Sequence, residues 1–162
     1  MTTSPLHPDC QPLVGLLGTW RGGGSGEYPT IAPFRYVEEV TFSHVGKPFL
    51  AYLQKTRDSS TDQPLHTEAG YWRPVAKGRL EVVLSHPTGV GEILEGSIQS
   101  GSSIVFELRT TSVTLTSTAK QVTELHRRFE LDGDTLRYDL AMAAVGQPLT
   151  HHLTAELHRS TE

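Results

Sequence analysis

Apolar and polar residues alternate with a period of two through most of this chain. The clearest run is Leu136, Tyr138, Leu140, Met142 and Ala144, with Arg137 and Asp139 on the opposite parity. Leu80, Val82 and Leu84 alternate with Arg79 and Glu81, and Ile104, Phe106 and Leu108 alternate with Glu107 and Arg109. Phe34, Tyr36, Val40 and Phe42 share one parity, which Glu38 interrupts. A period of two describes strands with one dry and one wet face.

The pattern predicts strands near 18–27, 34–44, 49–57, 64–73, 79–86, 91–98, 103–110, 121–131, 135–145 and 150–159. Turn chemistry separates them: His44-Val45-Gly46-Lys47-Pro48, Asp58 through Pro64, Pro87-Thr88-Gly89, and Asp132-Gly133-Asp134. The connection 111–120 has room for a short extra strand. The one helix candidate is Pro12 to Leu17, about two turns, with Asp9 as a cap and Gly18 as its stop. No later helical period exists, so a parallel βαβ architecture is not expected. Ten short antiparallel strands would leave two adhesive edges in an open sheet, and closure removes them. The expected fold is all-β, a ten-stranded antiparallel up-and-down barrel of the lipocalin or fatty-acid-binding kind, with a short N-terminal helix. A β-sandwich is the alternative. The expectation is a single domain over residues 1–162, with its core about 13–159.

Composition adds limits. With 162 residues, 36% hydrophobic and 20% charged, the chain is long enough to bury a core without disulfides. Its formal net charge of −4 and lack of a basic run argue against nucleic acid as a partner. The single cysteine, Cys10, permits no internal disulfide and suits a reducing cytoplasm. No signal-peptide pattern opens the chain and no apolar run approaches a membrane span, so the expected location is cytoplasmic, with no membrane partner.

Two features carry candidate chemistry. The segment GTWRGGGSGEYPTIAPF has four glycines between Gly22 and Gly26, costly in a strand unless a bend or a close backbone approach needs them. A phosphate-binding loop is rejected, because no Lys-Ser/Thr pair and no helix follow. The simpler reading is a coiled first strand that lets the barrel close, with Trp20 plugging one end. Tyr28-Pro29-Thr30-Ile31-Ala32-Pro33 then forms a rigid loop over the opposite mouth. Eight histidines are many, but no HxH, HExxH or Cys/His cluster signals zinc. No nucleophile elbow supports a hydrolase, and Glu38 and Glu39 lie on opposite faces of one strand. Residue patterning alone stops at a barrel with an apolar pocket.

Six segments go further. GTWRGGGSGEYPTI at 18–31, PFRYVEEVTFSHVGKPF at 33–49, PLHTEAGYWRP at 64–74, HPTGVGEILEG at 86–96, TAKQVTEL at 118–125 and MAAVGQPLTHHL at 142–153 resemble the nitrobindin family. The resemblance runs from about Leu13 to Arg159 and includes that family's GXWXGXG signature, here Gly18, Trp20, Gly22 and Gly24. It implies a barrel carrying one haem b per subunit. The axial histidine of the family's Gln-Pro-Leu-x-x-His-Leu stretch falls on His152, which takes both the iron-ligand and the catalytic role. By the same resemblance Thr30 and Ile31 meet the haem, Lys120 partners a propionate, and His66 and Met142 line the pocket. The implied activity is a ferric haem that binds nitric oxide and isomerises peroxynitrite to nitrate, with those small molecules as partners. A homodimer is left open. The other readings are a carrier of an apolar ligand without catalysis, or a haem-based nitric oxide sensor.

One conflict accompanies this reading. Leu153, Ala155 and Leu157 share an inward parity, which by strict alternation turns His151 inward and His152 outward. A bulge between Pro148 and His152 would reverse the face. His152 is taken as the ligand and His151 is the fallback.

Overall fold

The structure, a computed structural model, describes residues 4–161. Ten antiparallel strands follow the helix in chain order: β1 (Gly18–Tyr28), β2 (Ile31–Ser43), β3 (Leu50–Asp58), β4 (Pro64–Val75), β5 (Arg79–Ser85), β6 (Val90–Ser100), β7 (Ile104–Leu115), β8 (Val122–Asp132), β9 (Thr135–Ala144) and β10 (Thr150–Arg159). Each pairs with its sequence neighbour, and β1 also pairs with β10, so the sheet closes on itself. Closure leaves no free edge to template aggregation. The sandwich alternative is thereby excluded.

The alternation seen in the sequence is the inside and outside of this barrel. Leu50, Tyr52, Gln54 and Thr56 of β3 point inward, as do Leu136, Tyr138 and Leu140 of β9. One end is filled. Trp20, Phe42, Trp72 and Phe106 are essentially fully buried there, with Trp72 edge-on to Phe42 at 5.2 Å and to Phe106 at 5.7 Å. Such pairs add about 0.5–1.5 kcal/mol each beyond their burial.

The N-terminal helix closes this filled end. It is a 3-10 helix over Pro8–Leu16, longer and earlier than expected, and its cap is His7 rather than Asp9: His7 Nδ1 accepts from the Asp9 N–H at 3.2 Å. Pro8 suits the first position, where a missing N–H costs nothing. Cys10, Leu13 and Leu16 are completely buried beneath it. Trp20 Nε1 donates to the Leu16 carbonyl at 2.8 Å, so Trp20 plugs the end as expected. Arg159 stacks 4.3 Å above the Trp20 ring and donates to the carbonyls of Gly15 and Leu17.

Gly22 and Gly24 face β10 at the closing seam. A Cβ on Gly22 would stand 2.1 Å from the Glu156 carbonyl oxygen, and one on Gly24 would stand 2.4 Å from that of Thr154. Only glycine permits this backbone approach.

Two boundaries differ from the expectation. The rigid loop 28–33 is instead a two-residue turn at Pro29-Thr30, with Ile31 opposite Tyr28 and Pro33 inside β2. The connection 111–120 holds no separate strand. β7 runs on to Leu115 past a bulge against β6, where Ile93 pairs Ser112 and Leu94 pairs Thr110.

Candidate functional site

The end opposite the helix is open, and a cavity of about 410 Å³ lies inside it. That volume falls within the usual range for small-molecule sites, roughly 300–1,000 Å³. Its upper wall is mostly apolar: Ile31, Phe34, Leu65, Val90, Leu140 and Met142 contribute.

His152 enters this cavity because of an irregularity. Along β10, His151 pairs with Ala141 and Leu153 pairs with Leu140, so His152 is one residue too many for β9. The bulge re-aims its ring inward beside Leu153, against strict alternation. His152 Nδ1 lies 2.9 Å from the Glu27 carbonyl oxygen. A carbonyl only accepts, so Nδ1 carries the proton and Nε2 keeps its lone pair free. Burial holds the ring's pKa below the ordinary histidine value, although the hydrogen bond to Glu27 opposes this. The rings of Tyr28 and Phe34 flank it edge-on at 5.3 and 6.5 Å. A neutral imidazole, oriented through one nitrogen and open at the other, is the form a metal ligand takes. His151 stays outside, 45% exposed, with its ring 3.4 Å from Glu27 Oε1 and 3.6 Å from Asp139 Oδ1.

The remaining expected residues divide. Ile31 stands at the rim, 47% exposed, and still lines the cavity. Met142 lines it too, and its carbonyl accepts from the Tyr28 hydroxyl at 2.9 Å, tying β1 to β9 next to the bulge. His66 lines it on the β4 side, near the start of that strand. Thr30 is exposed in the β1–β2 turn next to Ile31, and Lys120 is exposed in the coil two residues before Val122, which does line the cavity. Gly18 and Trp20 belong to the closed end, and Gly22 and Gly24 to the seam, so the glycine signature serves closure rather than the cavity.

Sequence reasoning missed the floor. Glu68 and Glu92 are buried there, and Arg127 sits between them. Arg127 donates to Glu68 Oε1 at 2.7 Å and Oε2 at 3.1 Å, and to Glu92 Oε2 at 2.6 Å and Oε1 at 3.2 Å. Burial would raise the Glu68 carboxyl, but the charge and hydrogen bonds of Arg127, with His86 and Tyr52, outweigh it and bring the pKa to about 2. Glu92 is lowered by the same balance, with Arg127 the main lowering influence. His86 Nε2 donates to Glu92 Oε2, and His86 Nδ1 lies 2.9 Å from His66 Nε2 with the two rings stacked. Burial is the main cause that holds the His66 pKa down.

Beside this floor, Tyr138 donates to Glu38 Oε2 at 2.7 Å, and its hydroxyl meets that of Tyr36 at 2.7 Å. Burial pushes Glu38 up to about 7 despite the bond from Tyr138. The signal that could have found this group was present. Glu38, Gln54, Glu68, Glu92 and Arg127 all occupy inward positions of their strands. A polar residue at a core position implies a polar partner across the barrel.

Comparisons with known proteins agree on one family. A family model described as THAP4-like, heme-binding beta-barrel domain matches residues 9–159. A protein named peroxynitrite isomerase 2 from Mycobacterium avium (strain 104) is 60% identical over 155 residues, covering 95% of this chain and 96% of that one. A peroxynitrite isomerase from Nocardia farcinica is 50% identical over 155 residues, covering 95% and 92%. The crystal structure of Rv2717c from M. tuberculosis superimposes with a TM-score of 0.94 at 52% identity, covering 96% of this chain and 99% of that one. An S-type phycobiliprotein lyase from Guillardia theta shares the fold alone, with a TM-score of 0.63 at 8% identity.

Proposed function

This chain belongs to the THAP4-like, haem-binding β-barrel domain family, and on that premise we propose that its haem is a haem b held by His152 in the open cavity. Its function is haem-dependent isomerisation of peroxynitrite, the activity named for relatives of 50–60% identity over nearly the whole chain. The single observation that carries the residue assignment is the hydrogen bond from His152 Nδ1 to the Glu27 carbonyl. It leaves Nε2 unprotonated and facing the cavity, beside the apolar Ile31, Phe34, Leu140 and Met142. The residues present therefore fit a haem bound through one imidazole.

When bound, the haem supplies the iron at which peroxynitrite rearranges to nitrate, with no net gain or loss of electrons. The chain's own residues do the rest. His152 is held neutral and aimed by Glu27, Tyr28 and Phe34. Ile31, Leu65, Val90 and Met142 make an apolar surround that keeps bulk water from the reacting face. His66 reaches the cavity with an imidazole able to donate to a bound oxygen. Lys120 and Thr30 sit at the rim end of the barrel, where a propionate would emerge. Nitric oxide, a small neutral ligand, fits the same open face. The reading includes a cytoplasmic location with no nucleic-acid or membrane partner. The net charge of −4 and the lone, buried Cys10 support it, and among the described residues no helix is long and apolar enough to cross a membrane.

Hemin titration tests the ligand. The protein should develop a Soret band at one equivalent, His152→Ala should lose or strongly shift it, and His151→Ala should leave it unchanged. The reverse result for the two variants would move the ligand to His151. Stopped-flow decay of peroxynitrite should accelerate with the haem-loaded protein and not with the haem-free protein. Equal rates would remove the catalytic role and leave a haem carrier.

A further inference from the structure

His66, Glu68 and His86 bring three potential ligand atoms to one point of the cavity wall. His66 and Glu68 are two residues apart on β4 and so face inward together, while His86 follows the end of β5, the strand paired with β4. His66 Nε2 and His86 Nδ1 are 2.9 Å apart, His86 Nδ1 and Glu68 Oε2 are 3.5 Å apart, and His66 Nε2 and Glu68 Oε2 are 3.9 Å apart. Ligands on a tetrahedral zinc ion at 2.0–2.2 Å stand about 3.4 Å from one another. Two of the three separations are within half an ångström of that, and the His66–His86 contact needs to open by a similar amount.

The surroundings are those of a built site. Glu92 accepts from His86 Nε2, which orients Nδ1 toward His66 and Glu68 in the carboxylate–histidine arrangement common behind metal ligands. Tyr52 donates to Glu68 Oε1 at 2.8 Å, and Arg127 donates to Oε1 at 2.7 Å and to Oε2 at 3.1 Å, fixing the carboxylate with Oε2 also beside the two rings. Arg127 does not fill the need for positive charge here. Two carboxylates, Glu68 and Glu92, face one guanidinium, with His86 lying between them, so a cation bound at His86 Nδ1 and Glu68 Oε2 would compensate the second carboxylate. All three ligand residues line the cavity, so a fourth position opens onto it.

We propose that His66, Glu68 and His86 form a metal site, separate from His152, that takes a divalent transition-metal ion of the zinc type. Two imidazoles and a carboxylate with one open position are the donor set of hydrolytic zinc and non-haem iron centres. An ion there would present a Lewis-acidic face to whatever anion enters the cavity. No short histidine spacing marks it, because His66 and His86 are twenty residues apart and meet only through the pairing of β4 with β5. The proposal does not depend on His152 binding haem.

The test is zinc retention by the haem-loaded protein after dialysis, measured by elemental analysis and by X-ray absorption at the zinc edge. The expected result is one zinc per chain, with a nearest shell of nitrogen and oxygen at about 2.0–2.1 Å and imidazole scattering. His66→Ala and His86→Ala should each weaken zinc affinity at least tenfold, and Glu92→Gln about 10- to 100-fold by loss of the outer carboxylate. His151→Ala, which removes an exposed histidine outside the cavity, should change nothing. His66 is partly exposed, so its variant should keep the fold, as circular dichroism would report, while losing zinc. No stoichiometric zinc, or zinc retention in His66→Ala and His86→Ala equal to that of the parent, would overturn the proposal whatever the haem assay shows.

Discussion

Arg127 is the one buried cation in the barrel floor, and replacing it with methionine tests how the interior is held together. The change keeps an unbranched stem, shortens it by the guanidinium and removes four hydrogen bonds, two to Glu68 and two to Glu92. Both carboxylates are almost wholly shielded from solvent, with 6% and 0% of their side chains exposed. Losing one partner of a buried ion pair costs about 3–5 kcal/mol, because the charge left behind has no water to return to. For a chain of 162 residues each kcal/mol moves the melting temperature by about 2–4 °C, so Arg127→Met should lower it by about 6–20 °C. The pH dependence should also change. In the parent, Glu68 titrates near 2 when folded against an ordinary 4.5, so it contributes stability above about pH 5 that disappears as pH falls toward 2. In the variant both carboxyls prefer to be protonated when folded, so stability should rise as pH falls from 7 toward 5 more steeply than Glu38 alone makes it rise in the parent. Adding Glu68→Gln and Glu92→Gln should restore much of the loss at pH 7, since neither position then carries a charge without its partner. Urea unfolding of the haem-free proteins across pH reads all three effects. A cost under about 1 kcal/mol at pH 7, with the parent's pH slope retained, would refute the account.

Two further outcomes follow from the same geometry. Gly22→Ala should lower stability by more than about 2 kcal/mol, because the new Cβ meets the Glu156 carbonyl oxygen at 2.1 Å across the closing seam; an unchanged melting temperature would mean the seam is loose. Glu38 is raised to about 7 when folded, so it favours folding below its unfolded value of 4.5 and that contribution is lost as pH rises through 7. Glu38→Gln should therefore be less sensitive to pH between 5 and 8 than the parent, as thermal melts across that range would report.

The barrel was legible because each strand has one wet face. Arg137 and Asp139 alternate with Leu136, Tyr138 and Leu140, and nothing in that run is ambiguous. Boundaries failed where local rules were overridden. Pro33 marks a loop by composition, yet it sits in β2 at an exposed position where its missing donor is harmless. Thr111 to Leu115 read as a connection because they follow a bulge, and a bulge has no compositional signature. The floor was half visible: Glu38 registered as an interruption of the apolar parity rather than as a component. Its meaning appears only when the barrel brings Tyr138, one hundred residues later, to its carboxylate. Glu68 and Arg127 meet across 59 residues in the same way.

The site turns on the one position where alternation and motif disagreed. Had β10 kept regular register, His152 would stand on the outer face with Thr154, Glu156 and His158, all exposed, and His151 would point inward. A single unpaired residue between His151 and Leu153 exchanges them. The same irregularity brings Nδ1 of His152 to the Glu27 carbonyl, so one backbone feature sets both the direction of the ring and the nitrogen that carries its proton. Tyr28 stabilises that arrangement from β1, donating to the Met142 carbonyl and accepting from the Ala144 N–H at 3.0 Å, on the strand that the bulge opposes. A binding histidine in a barrel wall thus needs more than an imidazole in the last strand. It needs a break in pairing that turns the ring inward, an acceptor that takes the Nδ1 proton, and an apolar wall that keeps the ring neutral.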